Sequence, residues 1–193
     1  MKKLYVVGNR TSKSLSPTIF NYWFKKYNIK ASYGYLELTE KNFHKKINEV
    51  LKRKDTLGLN VTIPFKNKII KHLGKIDAHA KKIGAVNCVT NKKTIKGTNT
   101  DWTGYYKTLP NIKKTKKRKV IILGYGAASH AIHYVLKKRG FKDILIFNRS
   151  KKKIKYSNKT EYTKTYSDLE THLDGVFLII NTTPINPILK KHL

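Results

Sequence analysis

Hydrophobic and polar positions along the first half of the chain switch repeatedly between strand-like and helix-like spacing. Short segments rich in apolar or β-favouring residues predict four strands, at 4–7, 32–37, 58–62 and 85–90. A helix is predicted from 16 to about 27, with Ser16 as N-cap and Pro17 at the first helical position. A second helix is predicted from the spacing of Phe43, Ile47, Val50 and Leu51. Strands and helices in alternation are typical of a parallel α/β sheet.

The second half of the chain shows the same alternation. A strand at 120–123 leads into a glycine-containing turn and a helix that ends near 139, and further strands are predicted at 143–147 and 175–181. The two patterned blocks are separated by PNIKKTKKR at 110–118, a proline-led and lysine-dense run. Such a run predicts a linker or domain boundary.

The charge of the chain is strongly one-sided, with 42 Lys and Arg against 11 Asp and Glu and a net charge of +31. One interpretation is nucleic-acid binding through phosphate neutralisation. The other is drift in base composition, because the lysines lie along the whole chain and lysine, asparagine, isoleucine and tyrosine all have AT-rich codons. No nucleic-acid motif is recognisable, and aromatic residues do not interleave with the lysine runs. We therefore expect no specific nucleic-acid partner.

Cys88 is the only cysteine among 193 residues, which excludes an intrachain disulfide and a cysteine-rich metal site. No apolar run is long enough to span a membrane, and the short apolar stretch after the N-terminus favours a first strand over a signal peptide. We expect a cytoplasmic protein with no membrane partner, no metal, and a monomeric or homodimeric state.

The sequence GYGAAS at 124–129 stands between a predicted strand and a predicted helix, which is the context of a dinucleotide-binding turn. Gly124 would allow the tight turn, and Gly126 would let the backbone approach a pyrophosphate at the helix N-terminus. Ser129 replaces the third glycine of the usual fingerprint and is small enough for close packing. The alternative is an ordinary strand–helix turn.

The next strand ends in Asn148-Arg149-Ser150, where an NAD-binding domain usually carries an acidic residue. An arginine at this place favours a 2′-phosphate, because its planar guanidinium binds phosphate through two hydrogen bonds. The alternative is one more surface cation.

Lys66 and Asp101 each follow a predicted strand. If their loops face each other, the amine and the carboxylate could move a proton at a hydroxyl-bearing carbon while hydride leaves that carbon. The alternative is a surface salt bridge or two unrelated loop residues.

Five groups of residues together resemble the shikimate dehydrogenase family. They are SLSPTIFN at 14–21, NVTIPFK at 60–66, GAVN at 84–87, NTDWTGY at 99–105, and GYGAAS with NRS in the second half. Their order and spacing match over the whole chain. The resemblance implies an enzyme that reduces 3-dehydroshikimate to shikimate with NADPH in the shikimate pathway of aromatic amino-acid biosynthesis. It also implies two open α/β domains: residues 1–103 for substrate binding and catalysis, and residues 104–193 as a Rossmann-type NADP-binding domain, with the active site between them.

The resemblance also implies a role for each residue that matches a family motif. Ser14 and Ser16 would bind the substrate carboxylate, and Lys66 would be the catalytic acid–base residue with Asp101 as its partner. The ring hydroxyls would be held by Asn60, Thr62, Asn87 and Asp101.

The cofactor would be held mainly by residues of the second half. Arg149 would bind the 2′-phosphate, and Asn148 and Ser150 would lie beside it. Lys153 would add a contact one turn further on if that stretch is helical. Further contacts would come from Gly124, Gly126, Ala127, Ala128, Ser129 and Thr182.

The chain also departs from the family pattern. Ala127 stands where the family usually has glycine, and its methyl group would narrow the approach to the pyrophosphate. Family members extend further at the C-terminus, so we expect a shortened member with an incomplete Rossmann domain. The alternatives to the enzyme are a non-catalytic remnant of the family and a basic polyanion-binding protein. A quinate/shikimate subtype that uses NAD is disfavoured by Arg149.

Overall fold

The computed structural model describes residues 1–113, 115–154 and 161–184, so that Lys114 of the predicted linker lies outside it. The chain divides into two compact units, Met1–Thr100 and Asp101–Leu193. Among the described residues, no helix has the combined length and apolarity that a membrane span requires.

The first unit is built on a six-stranded sheet with the order β2-β1-β3-β5-β6-β4. Its strands are β1 Lys2–Gly8, β2 Ala31–Glu37, β3 Thr56–Val61, β4 Lys75–Ile76, β5 Cys88–Asn91 and β6 Ile95–Thr98. β1 pairs in parallel with β2 and β3, which confirms the parallel arrangement for these three strands. The prediction is wrong for β5, which runs antiparallel to both β3 and β6. The short link 92–94 explains the pairing of β5 with β6, because a connection of this length can join only antiparallel neighbours.

Three α-helices, α1 Ser16–Lys26, α2 Phe43–Lys52 and α3 Ala78–Ile83, and a 3-10 helix at Lys68–His72 belong to this unit. The four apolar positions that predicted α2 are all buried, and Phe43 stacks on Phe65 at 4.2 Å between ring centroids. Asp77 caps α3, since its Oδ1 accepts hydrogen bonds from the backbone N–H groups of His79 and Ala80. The core cluster includes Val61 and Phe65, which are next to the predicted substrate residues Thr62 and Lys66 in the sequence.

The second unit has a three-stranded parallel sheet with the order β8-β7-β9. Its elements are α4 Asp101–Thr108, β7 Lys119–Leu123, α5 Ala127–Lys138, β8 Asp143–Phe147 and β9 Val176–Asn181, with 3-10 helices at Thr115–Lys117, Tyr166–Asp168 and Glu170–His172. Leu123 at the end of β7 is in register with Phe147 and with Asn181. Because parallel strands end at the same edge of a sheet, the segments that follow these three residues meet there.

Candidate functional site

A pocket of about 490 Å³ opens in the first unit at the carboxyl ends of β1 and β3. Six of the seven residues predicted to contact substrate line it: Ser14, Ser16, Asn60, Thr62, Lys66 and Asn87. The apolar part of its wall comes from Val6, Phe20 and Val61. The seventh predicted residue, Asp101, is half-buried and is the first residue of α4 in the second unit.

The ends of β1 and β3, which carry the lining residues Val6, Val61 and Thr62, pack closely together. A Cβ atom added to Gly8 would lie 2.5 Å from Thr62 Cγ2 and 3.1 Å from the carbonyl oxygen of Ile63. The backbone N–H of Thr62 donates to the carbonyl of Val7 at 2.8 Å. A side chain at position 8 would therefore push the two strand ends apart.

Ser14 and Ser16 form a hydrogen-bonded pair at the start of α1. The Ser14 hydroxyl donates to Ser16 Oγ at 3.2 Å, and Ser14 Oγ accepts from the backbone N–H of Ser16 at 3.2 Å. Ser16 is the first helical residue, and the N-cap is Leu15, which makes no side-chain capping bond. The prediction of Ser16 as N-cap is therefore wrong by one residue. Two adjacent hydroxyls at a helix N-terminus suit the binding of a carboxylate.

Asn60 is oriented by a buried tyrosine that the sequence did not mark. The hydroxyl of Tyr33 donates to Asn60 Oδ1 at 2.6 Å, and its ring stacks on Phe20 with centroids 4.7 Å apart. Asn21 clamps the backbone of Tyr33 from both sides, accepting its N–H at 2.8 Å and donating to its carbonyl at 2.9 Å. Burial raises the pKa of Tyr33 well above its ordinary value. The hydroxyl therefore stays protonated, and the Nδ2 group of Asn60 is left for a ligand.

Asn87 reaches the same pocket from the antiparallel part of the sheet. Its Nδ2 donates to Thr100 Oγ1 at 2.9 Å, and its Oδ1 accepts from the backbone N–H of Thr100 at 2.8 Å. Its backbone carbonyl accepts from the N–H of Val61 at 2.8 Å. These bonds fix the residue next to the end of β3.

Lys66 stands at the end of a turn that is anchored on both sides. The backbone N–H of Phe65 donates to the carbonyl of Thr62 at 2.9 Å, and the carbonyl of Lys66 accepts from the N–H of Val86 at 2.7 Å. The Phe65 side chain is fully buried in the core, whereas Lys66 is half-buried against the pocket. Because Phe65 is anchored in the core, the next residue of the turn, Lys66, lies against the pocket.

The glycine turn of the second unit has the geometry that a dinucleotide-binding turn needs. Gly124 has a φ of +97°, and a Cβ atom there would lie 2.7 Å from Thr182 Oγ1. A Cβ atom on Gly126 would meet nothing within 4 Å, and α5 begins after Gly126 without a side-chain capping bond. The backbone N–H groups at the start of α5 are therefore accessible to an anion.

The remaining predicted residues of this turn differ in exposure. Ser129 is fully buried, Ala127 is half-buried and Ala128 is exposed. The hydroxyl of Thr182 donates to the carbonyl of Leu123 at 2.7 Å. Thr182 thus packs against the turn and joins β9 to β7.

Arg149 is exposed and lies on a loop that is held in place by hydrogen bonds of Asn148. The backbone N–H of Asn148 donates to the carbonyl of Lys164 at 2.9 Å, and Asn148 Nδ2 donates to the carbonyl of Ser150 at 2.9 Å. Lys153 is exposed and forms an isolated antiparallel bridge with Tyr162. The stretch is extended at Lys153, so the condition under which this lysine would lie one helical turn after Arg149 is not met.

Three further residues near these sites were missed by sequence reasoning. Tyr166 lies close enough to Arg149 and Gly124 for both to act on its hydroxyl. Burial raises the pKa of Tyr166, and the charge of Arg149 and a hydrogen bond from the Gly124 backbone lower this pKa in part. Arg10 and Lys13 line the pocket of the first unit. Basic residues are so frequent in this chain that no local signal distinguished these two.

Two family models cover most of the chain. Residues 6–89 match the shikimate dehydrogenase substrate binding domain, and residues 107–192 match the shikimate / quinate 5-dehydrogenase family. The chain is 35% identical over 183 residues to a shikimate dehydrogenase of Thermotoga petrophila, covering 95% of this chain and 69% of the relative. It is 38% identical over 184 residues to the shikimate dehydrogenase (NADP(+)) of Aquifex aeolicus, covering 93% of this chain and 67% of the relative.

The fold agrees with a solved structure of the same kind. The crystal structure of shikimate dehydrogenase from Aquifex aeolicus superposes with a TM-score of 0.84 at 33% identity, covering 100% of this chain and 72% of that one. Sequence motifs, fold and pocket residues therefore agree, and the chain belongs to the shikimate dehydrogenase family.

Proposed function

We propose that this protein is an NADP-dependent shikimate dehydrogenase that interconverts 3-dehydroshikimate and shikimate. The observation that carries the proposal is the pocket of the first unit, where two serine hydroxyls, two asparagines, a threonine and a lysine lie together. These groups match a small ring that bears one carboxylate and several hydroxyls. The comparisons support neither the remnant nor the polyanion-binding alternative, because the relatives carry the name of the enzyme.

In this proposal, the residues of the pocket bind and orient the ring. Ser14 and Ser16 donate hydrogen bonds to the carboxylate, while Asn60, Thr62 and Asn87 hold the ring hydroxyls. Fixing the ring in one orientation presents a single ring carbon for reaction, and such positioning accounts for a large part of enzymatic rate enhancement.

Lys66 is assigned the proton transfer at the oxygen of the reacting carbon. When the hydroxyl of shikimate is oxidised to a ketone, its proton passes to the amine, and in the reverse direction the ammonium returns it. Asp101 is proposed as the partner that stabilises the ammonium form. NADP, when bound, supplies or accepts the hydride.

The second unit supplies residues that fit the cofactor. The N-terminus of α5, which lacks a side-chain cap, suits the pyrophosphate, and the open space above Gly126 permits a close approach. Arg149 suits the 2′-phosphate that distinguishes NADP from NAD. Asn148 and Ser150 shape the loop that carries this arginine.

The experiment is the formation of NADPH from shikimate and NADP⁺, followed by absorbance. Lys66→Met is expected to lower the rate by a factor of about 100 or more, which is the usual contribution of a positioned acid–base group. The matched control is Lys45→Met, an exposed lysine on α2 that does not line the pocket. A parent protein that forms no NADPH would contradict the activity, and a Lys66→Met variant with the parental rate would contradict only the role of Lys66.

A further inference from the structure

Two cationic side chains of the loop between β1 and α1 face the pocket, and the proposed chemistry gives them no role. Arg10 and Lys13 line the pocket together with Ser14 and Ser16, the pair assigned to the substrate carboxylate. Both cations are exposed on their outer side. They therefore stand at the rim, where an entering ligand would meet them first.

The backbone of this loop is held in place by an acidic residue at the end of β2. Glu37 Oε2 accepts hydrogen bonds from the backbone N–H groups of Thr11 at 2.9 Å and Ser12 at 3.2 Å. The N–H of Ser14 donates to the carbonyl of Thr11 at 2.8 Å, and the N–H of Asn9 donates to the carbonyl of Ile63 at 3.3 Å. The loop is thus ordered before any ligand binds, which lowers the entropic cost of using its side chains.

Glu37 contacts the loop from outside the pocket, and the charged residues that line the pocket itself are all cationic. Among its lining residues, all within the described part of the chain, three are cationic, namely Arg10, Lys13 and Lys66, and none is acidic. Hydroxyl groups such as those of Ser14 and Ser16 can donate to a carbonyl oxygen of either an acid or its neutral ester, so they favour the ionised acid without excluding the ester. Cations discriminate between the two, because they gain Coulomb energy only from the ionised acid.

We propose that Arg10 and Lys13 form an anion-selecting rim, which makes the pocket specific for ring acids in their ionised form. The proposal rests on the proposed function, because it assigns the carboxylate to this end of the pocket. Arg10 can offer two parallel hydrogen bonds to a carboxylate, whereas Lys13 contributes a point charge. Both groups touch solvent, so their combined effect is expected to be about tenfold in affinity, or about 1.4 kcal/mol.

The test measures binding by calorimetry, with shikimate and its methyl ester as probes and with the full chain. The pocket variant combines Arg10→Gln with Lys13→Gln. The matched control combines Lys41→Gln with Lys45→Gln, which removes two exposed charges that do not line the pocket. Measurements are made at an ionic strength where the Debye length is about 8 Å, so that the general field of the protein is screened.

The parent is expected to bind the acid at least about tenfold more tightly than the ester. The pocket variant should lower this ratio about tenfold while its affinity for the ester stays unchanged, and the control should keep the parental ratio. A pocket variant with the parental ratio would overturn the proposal, as would a parent that binds acid and ester alike or a control that loses as much as the pocket variant.

Turnover separates this proposal from the proposed function. A parent that binds the acid more tightly than the ester but forms no NADPH from shikimate would contradict the enzymatic activity and not the proposed role of Arg10 and Lys13. A parent that forms NADPH while the pocket variant keeps the acid-to-ester ratio would contradict the rim alone. Circular dichroism melting of each variant confirms that the comparison is made between folded proteins.

Discussion

The hydrogen bond between Tyr33 and Asn60 can be removed by Tyr33→Phe, which deletes one oxygen atom and leaves the ring. Tyr33 is 3% exposed, and its ring remains stacked on Phe20 after the change. The variant therefore tests one interaction, the donation from the hydroxyl to Asn60 Oδ1 at 2.6 Å.

The cost to stability follows from the surroundings of the two groups. A hydrogen bond contributes about 0.5–1.5 kcal/mol net, and more when the abandoned partner is sealed from water. Asn60 is half-buried and lines the pocket, so its free oxygen can accept from water in the variant. We expect a loss of about 1 kcal/mol in the free energy of unfolding.

The cost to substrate binding follows from the orientation of the amide. With the hydroxyl present, Oδ1 is held towards Tyr33 and Nδ2 remains for the substrate. If the hydrogen bond favours one orientation of the amide by about 1 kcal/mol, about five-sixths of the molecules hold it; without the bond the two orientations become similar in energy, and the competent fraction falls at most about twofold. The KM for shikimate should rise by that factor, whereas kcat should stay near the parental value.

The assay combines steady-state kinetics with denaturant unfolding, and Tyr22→Phe serves as control because that tyrosine is 60% exposed. A variant that loses stability but keeps the parental KM would refute the idea that Tyr33 orients Asn60. Because burial raises the pKa of Tyr33, its donation should not change with pH through the neutral range.

Three other changes are expected to have measurable effects. Gly8→Ala should destabilise the protein by about 1–3 kcal/mol in denaturant unfolding, because its Cβ atom would lie 2.5 Å from Thr62 Cγ2; Gly34→Ala, where the nearest atom lies 3.4 Å away, should cost less. Arg149→Gln should lower the ratio of kcat/KM for NADP over NAD about tenfold or more, and an unchanged ratio would refute its role. Burial, reinforced by Lys137, lowers the pKa of His133 to about 4. The unfolded chain therefore binds this proton from about pH 6.5 downwards, and stability should fall by about 3 kcal/mol between that pH and 4. His133→Leu should remove this part of the acid slope, and an identical slope in both proteins would contradict it.

Local patterns were sufficient to predict the elements whose signal is contained within one segment. The helix carrying Phe43 and Ile47 and the glycine turn at Gly124 follow from spacing and context, and the structure confirms both elements. The six pocket residues could be expected together because their motifs resemble those of one enzyme family, and the structure places all six around one pocket.

Other features depend on contacts between distant segments and leave no local signal. Tyr33 is one tyrosine among 12, and only the pairing of β1 with β2 and β3 brings it to Asn60, 27 positions away. The extended course at Lys153 depends on its bridge to Tyr162. The position of Arg10 and Lys13 at the pocket could not be predicted, because 42 residues of the chain are Lys or Arg and nothing local distinguishes these two.

The reversal of β5 has a practical consequence for engineering. Its first residue, Cys88, is in register with Asn60 near the pocket, whereas Thr90 is in register with Gly58, further back along β3. The hairpin loop at 92–94 therefore lies at the opposite edge of the sheet from the pocket. Insertions into surface loops cost little free energy as they lengthen, and hairpin tips are common sites of tolerated insertions. A fluorophore tag or an affinity epitope placed between Lys92 and Thr94 would label the molecule at a distance from the residues that bind its ligand.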